Sequence, residues 1–142
     1  MEVKRLSEKN WPVILLIEND DNDVFIFRRA LATAGWCGDV RIVGSATEAR
    51  AYFENVQSFR DTSYHRRPQL IVSDSRLTGG TAMDFLDWLR GQRFGPPIPI
   101  VILSGHLGEN PAQRLALLGA CAFIAKTGNA ATLAASLKPF LP

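Results

Sequence analysis

Val13-Ile-Leu-Leu-Ile17 is an uninterrupted apolar run, and the polar segment Glu18-Asn19-Asp20-Asp21 follows it directly. A strand that is apolar on both faces must be covered on both sides, as strands in the middle of a parallel sheet are. Four more short apolar segments follow, each far enough from the last to leave room for a helix. We therefore predict five strands, at residues 13–17, 40–43, 69–73, 98–103 and 122–125.

Helix boundary residues lie between these strands. The first predicted helix covers residues 23–34 and ends at Gly35, and the second runs from 45 to about 53 after the capping box Ser45-x-x-Glu48. The third covers residues 81–91 and is opened by Thr81-x-x-Asp84. The fourth covers residues 110–119 and is opened by Asn110-Pro111, and a last helix is capped by Asn129. The polar stretch between 55 and 67 is predicted as a loop. Alternating strands and helices indicate an α/β fold, a doubly wound five-stranded parallel sheet with helices on both faces.

Size and charge narrow the class of protein. The chain has 142 residues, which suits one domain, and a net charge of only +2. Such a charge gives no strong attraction to nucleic acid or to an acidic membrane, and the apolar run at 13–17 is too short for a membrane span. We expect a cytoplasmic protein that binds neither, with an N-terminal tail at residues 1–10 and one domain at residues 11–142.

Polar side chains follow the predicted strands at their carboxyl ends. Glu18 follows the first strand, Asp74 the third, Ser104 the fourth and Lys126 the fifth. In a doubly wound sheet these ends share one crevice, so the topology predicts that two carboxylates, a hydroxyl and an ammonium group meet there.

This set of groups suits the transfer of a phosphoryl group to a carboxylate. Carboxylates hold Mg²⁺, which usually keeps several water ligands, and the metal offsets repulsion between Asp74 and the incoming phosphoryl group. Lys126 can pair with Asp74 beforehand and with phosphoryl oxygens afterwards, while Ser104 can donate a hydrogen bond to the transferred group.

The same residues carry a family resemblance. The strand before Glu18, then Leu70-Ile-Val-Ser-Asp74, Ile102-Leu-Ser104-Gly105 and Phe123-Ile-Ala-Lys126, in this order, resemble the receiver domains of two-component response regulators, the CheY-like family. The resemblance runs from about Val13 to Leu141, and the segment from Glu18 to Leu31 is most similar to stand-alone receivers. It implies the flavodoxin-like strand order 2-1-3-4-5 and a signalling role rather than an enzyme with its own external substrate.

The resemblance also implies a role for each matching position. Asp74 would accept a phosphoryl group from a sensor histidine kinase or a histidine phosphotransfer protein. Mg²⁺ would be held by Glu18, Asn19 and Asp74 and by the backbone carbonyl of Arg76. Ser104 and Phe123 would be the switch residues, and Lys126 the cation that pairs with the phosphoryl group. The output would be a change of partner or self-association into a homodimer.

Asn19 and Thr127 depart from the family pattern. Asn19 stands where a second metal-binding aspartate is usual, which predicts weaker Mg²⁺ binding, with Asp20 as an alternative ligand. Thr127 stands where proline, usually with a cis bond, follows the lysine; a cis bond before threonine costs about 3 kcal/mol. We therefore expect either a trans, reshaped loop or a strained one.

Three alternatives stay open at this point. A receiver-like adaptor that is never phosphorylated would be consistent with Asn19 and Thr127. A phosphatase with an aspartyl-phosphate intermediate usually has a second carboxylate two residues after the nucleophile, but this chain has Arg76 there. A flavin-binding protein of the same sheet order would need a phosphate-binding loop after the first strand, and the sequence has none.

Overall fold

The fold is a parallel sheet with helices on both sides. The computed structural model describes residues 11–58, 66–76, 82–92, 97–105, 119–120 and 122–142. In chain order its elements are β1 (Val13–Ile17), α1 (Asp21–Thr33), β2 (Asp39–Val43), α2 (Ala46–Ser58), β3 (Leu70–Asp74), α3 (Ala82–Arg90), β4 (Ile100–Ser104), β5 (Ala122–Ala125) and α4 (Ala130–Leu137), followed by one turn of 3-10 helix at Lys138–Phe140.

The sheet has the predicted topology. Its strand order is β2-β1-β3-β4-β5, and every pair is parallel. The register aligns Ile17 with Ser73, Asp74 with Leu103, and Ser104 with Ala125. The carboxyl ends of β1, β3, β4 and β5 therefore lie side by side along one edge, as the doubly wound arrangement requires.

Two apolar layers hold the helices against the sheet. On one side α1 and α4 pack on it through Phe27, Leu31, Leu133 and Leu137, all buried. On the other side α2 and α3 pack through a second buried cluster, which includes the rings of Phe53 and Phe85 with centroids 6.1 Å apart. Every residue of β1 is buried, which explains why this strand has no polar position.

Hydrogen bonds at the helix ends confirm two predicted caps. Asn129 Oδ1 accepts from the backbone N–H of Thr132 at 3.1 Å, and Ser45 Oγ accepts from that of Glu48 at 3.1 Å. The Glu48 carboxylate reaches back to the N–H of Gly44, one residue before the cap, at 2.6 Å. Both helices therefore begin where their side chains satisfy the first free N–H groups.

Several predicted boundaries were wrong. The helix α1 begins at Asp21 instead of residue 23, because Asp20 is its cap and accepts from the N–H of Asp23 at 2.9 Å. The helix α2 continues to Ser58, so the predicted loop at 55–67 starts too early; polar residues without glycine or proline do not end a helix. β4 begins at Ile100, after Pro99, which has no N–H for the sheet. The predicted helix at 110–119 and its cap lie outside the described residues, apart from Gly119.

Arg66 joins three segments at the amino-terminal edge of the sheet. Its guanidinium group donates to the carbonyl oxygen of Trp11 at 2.7 Å and forms an ion pair with Asp39. The hydroxyl of Tyr52 donates to the Arg66 carbonyl oxygen at 2.5 Å. These contacts fix the entry to β1, β2 and β3 at the edge opposite the polar strand ends.

The buried cluster on the α2 and α3 side predicts that the loss of a phenylalanine ring there destabilises the fold more than the loss of an exposed ring. We expect Phe85→Ala, at a fully buried ring, to lower the free energy of unfolding by about 3–5 kcal/mol. The matched control is Phe25→Ala on α1, whose side chain is 57% exposed and which should change it by less than about 0.5 kcal/mol. Urea unfolding of both variants measures these free energies. Equal losses in the two variants would contradict the burial of Phe85 and the exposure of Phe25.

Candidate functional site

The side chain of Lys126 is the centre of the polar groups at the carboxyl edge of the sheet. Its ammonium nitrogen lies 2.8 Å from Asp23 Oδ2, 2.9 Å from Glu18 Oε2 and 3.2 Å from Asp74 Oδ2. Lys126 follows β5 directly, and its own N–H donates to the carbonyl oxygen of Ser104 at 2.8 Å. The sheet therefore fixes its backbone, and three carboxylates fix its ammonium group.

Glu18 is a buried carboxylate whose two oxygens have separate partners. Its side chain is only 2% exposed. Oε1 accepts from the backbone N–H groups of Asn19 and Asp20, each at 3.1 Å, while Oε2 faces Lys126. A charge this deeply buried is stable only when it is paired and hydrogen-bonded, and this one is both.

Asp74 is the last residue of β3, and its carboxylate also divides its contacts. Oδ2 faces Lys126, and Oδ1 accepts from the backbone N–H of Arg76 at 3.3 Å. The latter bond is long, so Oδ1 is the less strongly held oxygen. The side chain is half-buried and points to the rim instead of the core.

Ser104 completes the edge between β3 and β5. It is buried, and its Oγ accepts from Ser75 Oγ at the limiting distance of 3.5 Å. Its carbonyl oxygen receives the N–H of Lys126, while the N–H of Ser75 donates to the carbonyl oxygen of Leu103. The structure thus brings together the four positions that the sequence predicted, with Glu18, Asp74 and Lys126 in direct contact and Ser104 beside them.

Comparison with protein families identifies this arrangement. The model of the response regulator receiver domain matches residues 14–138. The chain belongs to this family. A comparison of this chain with curated protein sequences found no match.

Solved structures agree on the fold. A response regulator of red light signalling in R. palustris has 20% identity and a TM-score of 0.78, with 90% of each chain covered. The phosphorylated cyanobacterial phytochrome response regulator RcpA has 25% identity and a TM-score of 0.74, with 91% of this receiver domain and 90% of that chain covered. The Mn²⁺-bound form of response regulator Rcp1 has 22% identity and a TM-score of 0.73, with 90% of each chain covered.

Asp23 is the site residue of this receiver domain that the sequence analysis missed. Carboxylates are common in the first turn of a helix, so nothing along the chain singled out Asp23 as a site residue. The structure gives Asp23 the shortest of the three contacts to Lys126. Asp23 lies in the first turn of α1, and only the packing of that helix at the carboxyl edge of the sheet brings its side chain to Lys126.

The two departures from the family pattern are resolved differently. Among the described residues no peptide bond is cis, so the link from Lys126 to Thr127 is trans. In the loop that follows, Gly128 has a positive φ of 72°, and Thr127 Oγ1 accepts from the N–H of Asn129 at 3.3 Å. Asn19 is exposed, and Asp20 uses one carboxylate oxygen to cap α1.

Phe123 and Arg76 are the predicted switch aromatic and the predicted source of a metal-binding carbonyl group. Phe123, the second residue of β5, is half-buried and packs on the core cluster of α2 and α3. Arg76 is exposed, and its backbone is next to the Asp74 carboxylate through the N–H bond. Their switching and metal-binding roles stay predictions.

Burial and charge move two pKa values in this receiver domain. Burial raises the pKa of Glu18, with the Asp74 charge acting in the same direction, and the hydrogen bonds from Lys126 and from the backbone of Asp20 do not cancel the rise. Burial disfavours the charged form of Lys126, but its hydrogen bonds to Asp23 and Glu18 outweigh this effect, with added help from the Asp74 charge. The pKa of Lys126 is therefore raised, and its ammonium group stays charged at neutral pH.

The rim has the charge to attract a divalent cation. Three carboxylates contact one ammonium group, which leaves a formal charge of −2. The part of the chain that the structure describes has no cluster of three His, Cys, Asp or Glu side chains arranged to hold a metal. Mg²⁺ needs fewer, because it binds through one or two carboxylates and keeps several waters, so Glu18 and Asp74 fit it.

Removing the shared cation should destabilise the fold in a pH-dependent way. At neutral pH we expect Lys126→Met to lower the free energy of unfolding by about 3 kcal/mol, because three carboxylates lose their counter-ion. The folded-state pKa of Lys126 is raised, so its stabilisation is fully present below the ordinary value of 10.5 and declines as the pH rises above it. The free energies of unfolding of Lys126→Met and wild type should therefore become more alike in alkaline solution.

Urea unfolding at neutral pH and at a series of alkaline values measures both effects. Lys138→Met is the matched control, since Lys138 is an exposed lysine of the final turn. A loss in Lys126→Met no greater than in Lys138→Met would contradict the role of Lys126 as a shared counter-ion.

Proposed function

We propose that this receiver domain is a phosphorylated switch that accepts a phosphoryl group on Asp74 with the help of Mg²⁺. The observation that carries the proposal is the contact of Lys126 with both Asp74 and Glu18 at one sheet edge. The family typically binds Mg²⁺, and two similar structures are described as phosphorylated and as Mn²⁺-bound. The domain would act as a regulated binding module and not as an enzyme with an external substrate.

The transfer step uses groups that the structure places together. An oxygen of Asp74, best the less strongly held Oδ1, attacks the phosphorus atom of a phosphohistidine. The P–N bond breaks, its electron pair stays on the imidazole nitrogen, and a P–O bond to Asp74 forms. Mg²⁺, held by Glu18, Asn19 and Asp74 and by the backbone carbonyl of Arg76, would supply the charge compensation that phosphoryl transfer needs.

Ser104 and Phe123 would convert the new charge into a changed surface. The phosphoryl group adds negative charge and strong acceptors next to the Ser104 hydroxyl, which can donate to one of them. Ser104 is fixed on β4, and Phe123 lies on the neighbouring strand opposite Ile102. A shift of the Ser104 end of β4 would therefore reach the packing of Phe123.

The proposed partners are a sensor histidine kinase or a histidine phosphotransfer protein. Phe25 supports this, because its side chain is 57% exposed near the start of α1, the end of the helix that lies at the carboxyl edge of the sheet. An exposed aromatic ring at that place suits contact with a partner helix. The output is a change of partner binding, with homodimer formation as one form of it. In the described residues, no helix is both long enough and apolar enough to cross a bilayer.

Labelling with a small phosphodonor tests the function. We expect wild type incubated with acetyl phosphate and Mg²⁺ to gain the mass of one phosphoryl group, and Asp74→Asn to gain none, because the acceptor carboxylate is lost. Asp87→Asn, at an exposed aspartate of α3, is the control and should be labelled like wild type. Intact mass spectrometry measures all three. Label retained by Asp74→Asn would refute Asp74 as acceptor, and an unlabelled wild type would favour the non-phosphorylated adaptor.

Metal titration tests the effect of the neutral residue at position 19. We expect Asn19→Asp to bind Mg²⁺ more tightly, on the order of tenfold, because a charged ligand is restored beside Glu18. Asn22→Asp adds the same charge at an exposed position of α1 and should change the affinity less. Calorimetric titration measures the dissociation constants. If wild type binds Mg²⁺ tightly and Asn19→Ala abolishes this binding, then Asn19 is a full ligand and its lack of charge does not weaken the affinity.

A further inference from the structure

The ammonium group of Lys126 is engaged by carboxylates before any phosphoryl group arrives. It carries three N–H bonds, and three carboxylates lie within 2.8–3.2 Å of its nitrogen. Two of its N–H bonds are donated to Asp23 and Glu18, and a phosphoryl group on Asp74 competes with these two carboxylates for the ammonium group. Which carboxylate is released determines where the molecule changes when it is phosphorylated.

We propose that Asp23 is a positioning residue that holds Lys126 before phosphorylation and releases it to the phosphoryl group afterwards. The inference rests on the proposed function, since it concerns the state that follows transfer to Asp74. It assigns a role to a residue of α1 outside the acceptor, metal and switch positions. Asp23 acts through Lys126 and does not itself touch the reacting atoms.

Exposure decides between Asp23 and Glu18. The Glu18 side chain is 2% exposed, so the loss of its cation would leave a buried charge poorly compensated. The Asp23 side chain is 34% exposed, and water can replace Lys126 there at little cost. Asp74 carries the phosphoryl group and stays next to Lys126 in either state. Release of Asp23 is therefore the least costly exchange.

The surroundings of Asp23 give its carboxylate access to water. Asp23 and Lys126 line a small open cleft of about 20 Å³, which has room for a water molecule. The backbone of Asp23 stays fixed, because its N–H donates to the cap residue Asp20. The side chain can therefore change partner from Lys126 to solvent without unwinding the start of α1.

The exchange has a thermodynamic consequence. The Asp23 contact stabilises the unphosphorylated state only, so it opposes the phosphorylated one. Removing the Asp23 charge should leave Lys126 with a free N–H and favour any group that resembles a phosphoryl group on Asp74. A partly exposed ion pair of this kind corresponds to about a threefold change in affinity.

The test is the binding of beryllofluoride, a stable phosphoryl mimic, at saturating Mg²⁺. Fluorine NMR measures its dissociation constant for wild type, Asp23→Asn, Asp23→Glu and the control Asp21→Asn, which removes an equal charge from an exposed neighbour in the same helical turn. We expect Asp23→Asn to bind about threefold tighter, with Asp23→Glu and Asp21→Asn close to wild type. Asp23→Asn in a Lys126→Met background should have no such effect.

Each other outcome overturns the proposal. Equal affinities of Asp23→Asn and Asp21→Asn would show that only overall charge matters, and weaker binding by Asp23→Asn would show that Lys126 needs Asp23 in both states. In both cases labelling of Asp74 by acetyl phosphate, in which the P–O bond to acetate breaks and acetate leaves, would still support the proposed function. A wild type that neither binds beryllofluoride nor becomes labelled would overturn the function and this inference together.

Discussion

One ammonium group shared by three carboxylates is the interaction on which the carboxyl edge of this sheet depends. Glu18 and Asp74 carry like charges at the ends of adjacent strands, and without a cation between them they would repel each other inside a region of low water content. Lys126 reaches them from β5, two strands beyond β3 in the sheet order. The cation therefore connects the centre of the sheet to its edge strand through charge, whereas backbone hydrogen bonds connect only neighbours.

The parallel register makes this arrangement possible. Each strand delivers its polar group at its carboxyl end, and the alignment of Asp74 with Leu103 and of Ser104 with Ala125 keeps these ends level. The side chains that follow are then within reach of one another while the strands behind them stay apolar. Backbone N–H groups of the residues that follow Glu18 offset part of the cost of burying it, so the same short segment that ends β1 also stabilises its charge.

The sequence allowed prediction of the sheet and of most of the site, for a simple physical reason. Strands buried on both faces have unbroken apolar runs, and the polar residue that ends such a run must lie at the rim, so Glu18, Asp74 and Lys126 were predictable. Asp23 was not, because a carboxylate in the first turn of a helix has a sufficient local explanation. Its contact with Lys126 depends on how α1 lies beside β5, which no spacing along the chain expresses. The end of α2 was missed for a related reason, since polar residues are compatible with both a loop and an exposed helical turn.

The molecule has two charged ends, which we call poles: the Arg66 contacts lie where strands begin, and the Lys126 contacts lie where strands end. Arg66 holds Trp11 and Asp39 where β1 and β2 begin, whereas Glu18 and Lys126 act where strands end. A strand of five residues separates these poles by roughly 16 Å. Additional protein modules or probes joined to the chain before Trp11 would therefore attach at the pole far from the charged rim. A domain fused at this end would thus leave the charged groups at the other end in place.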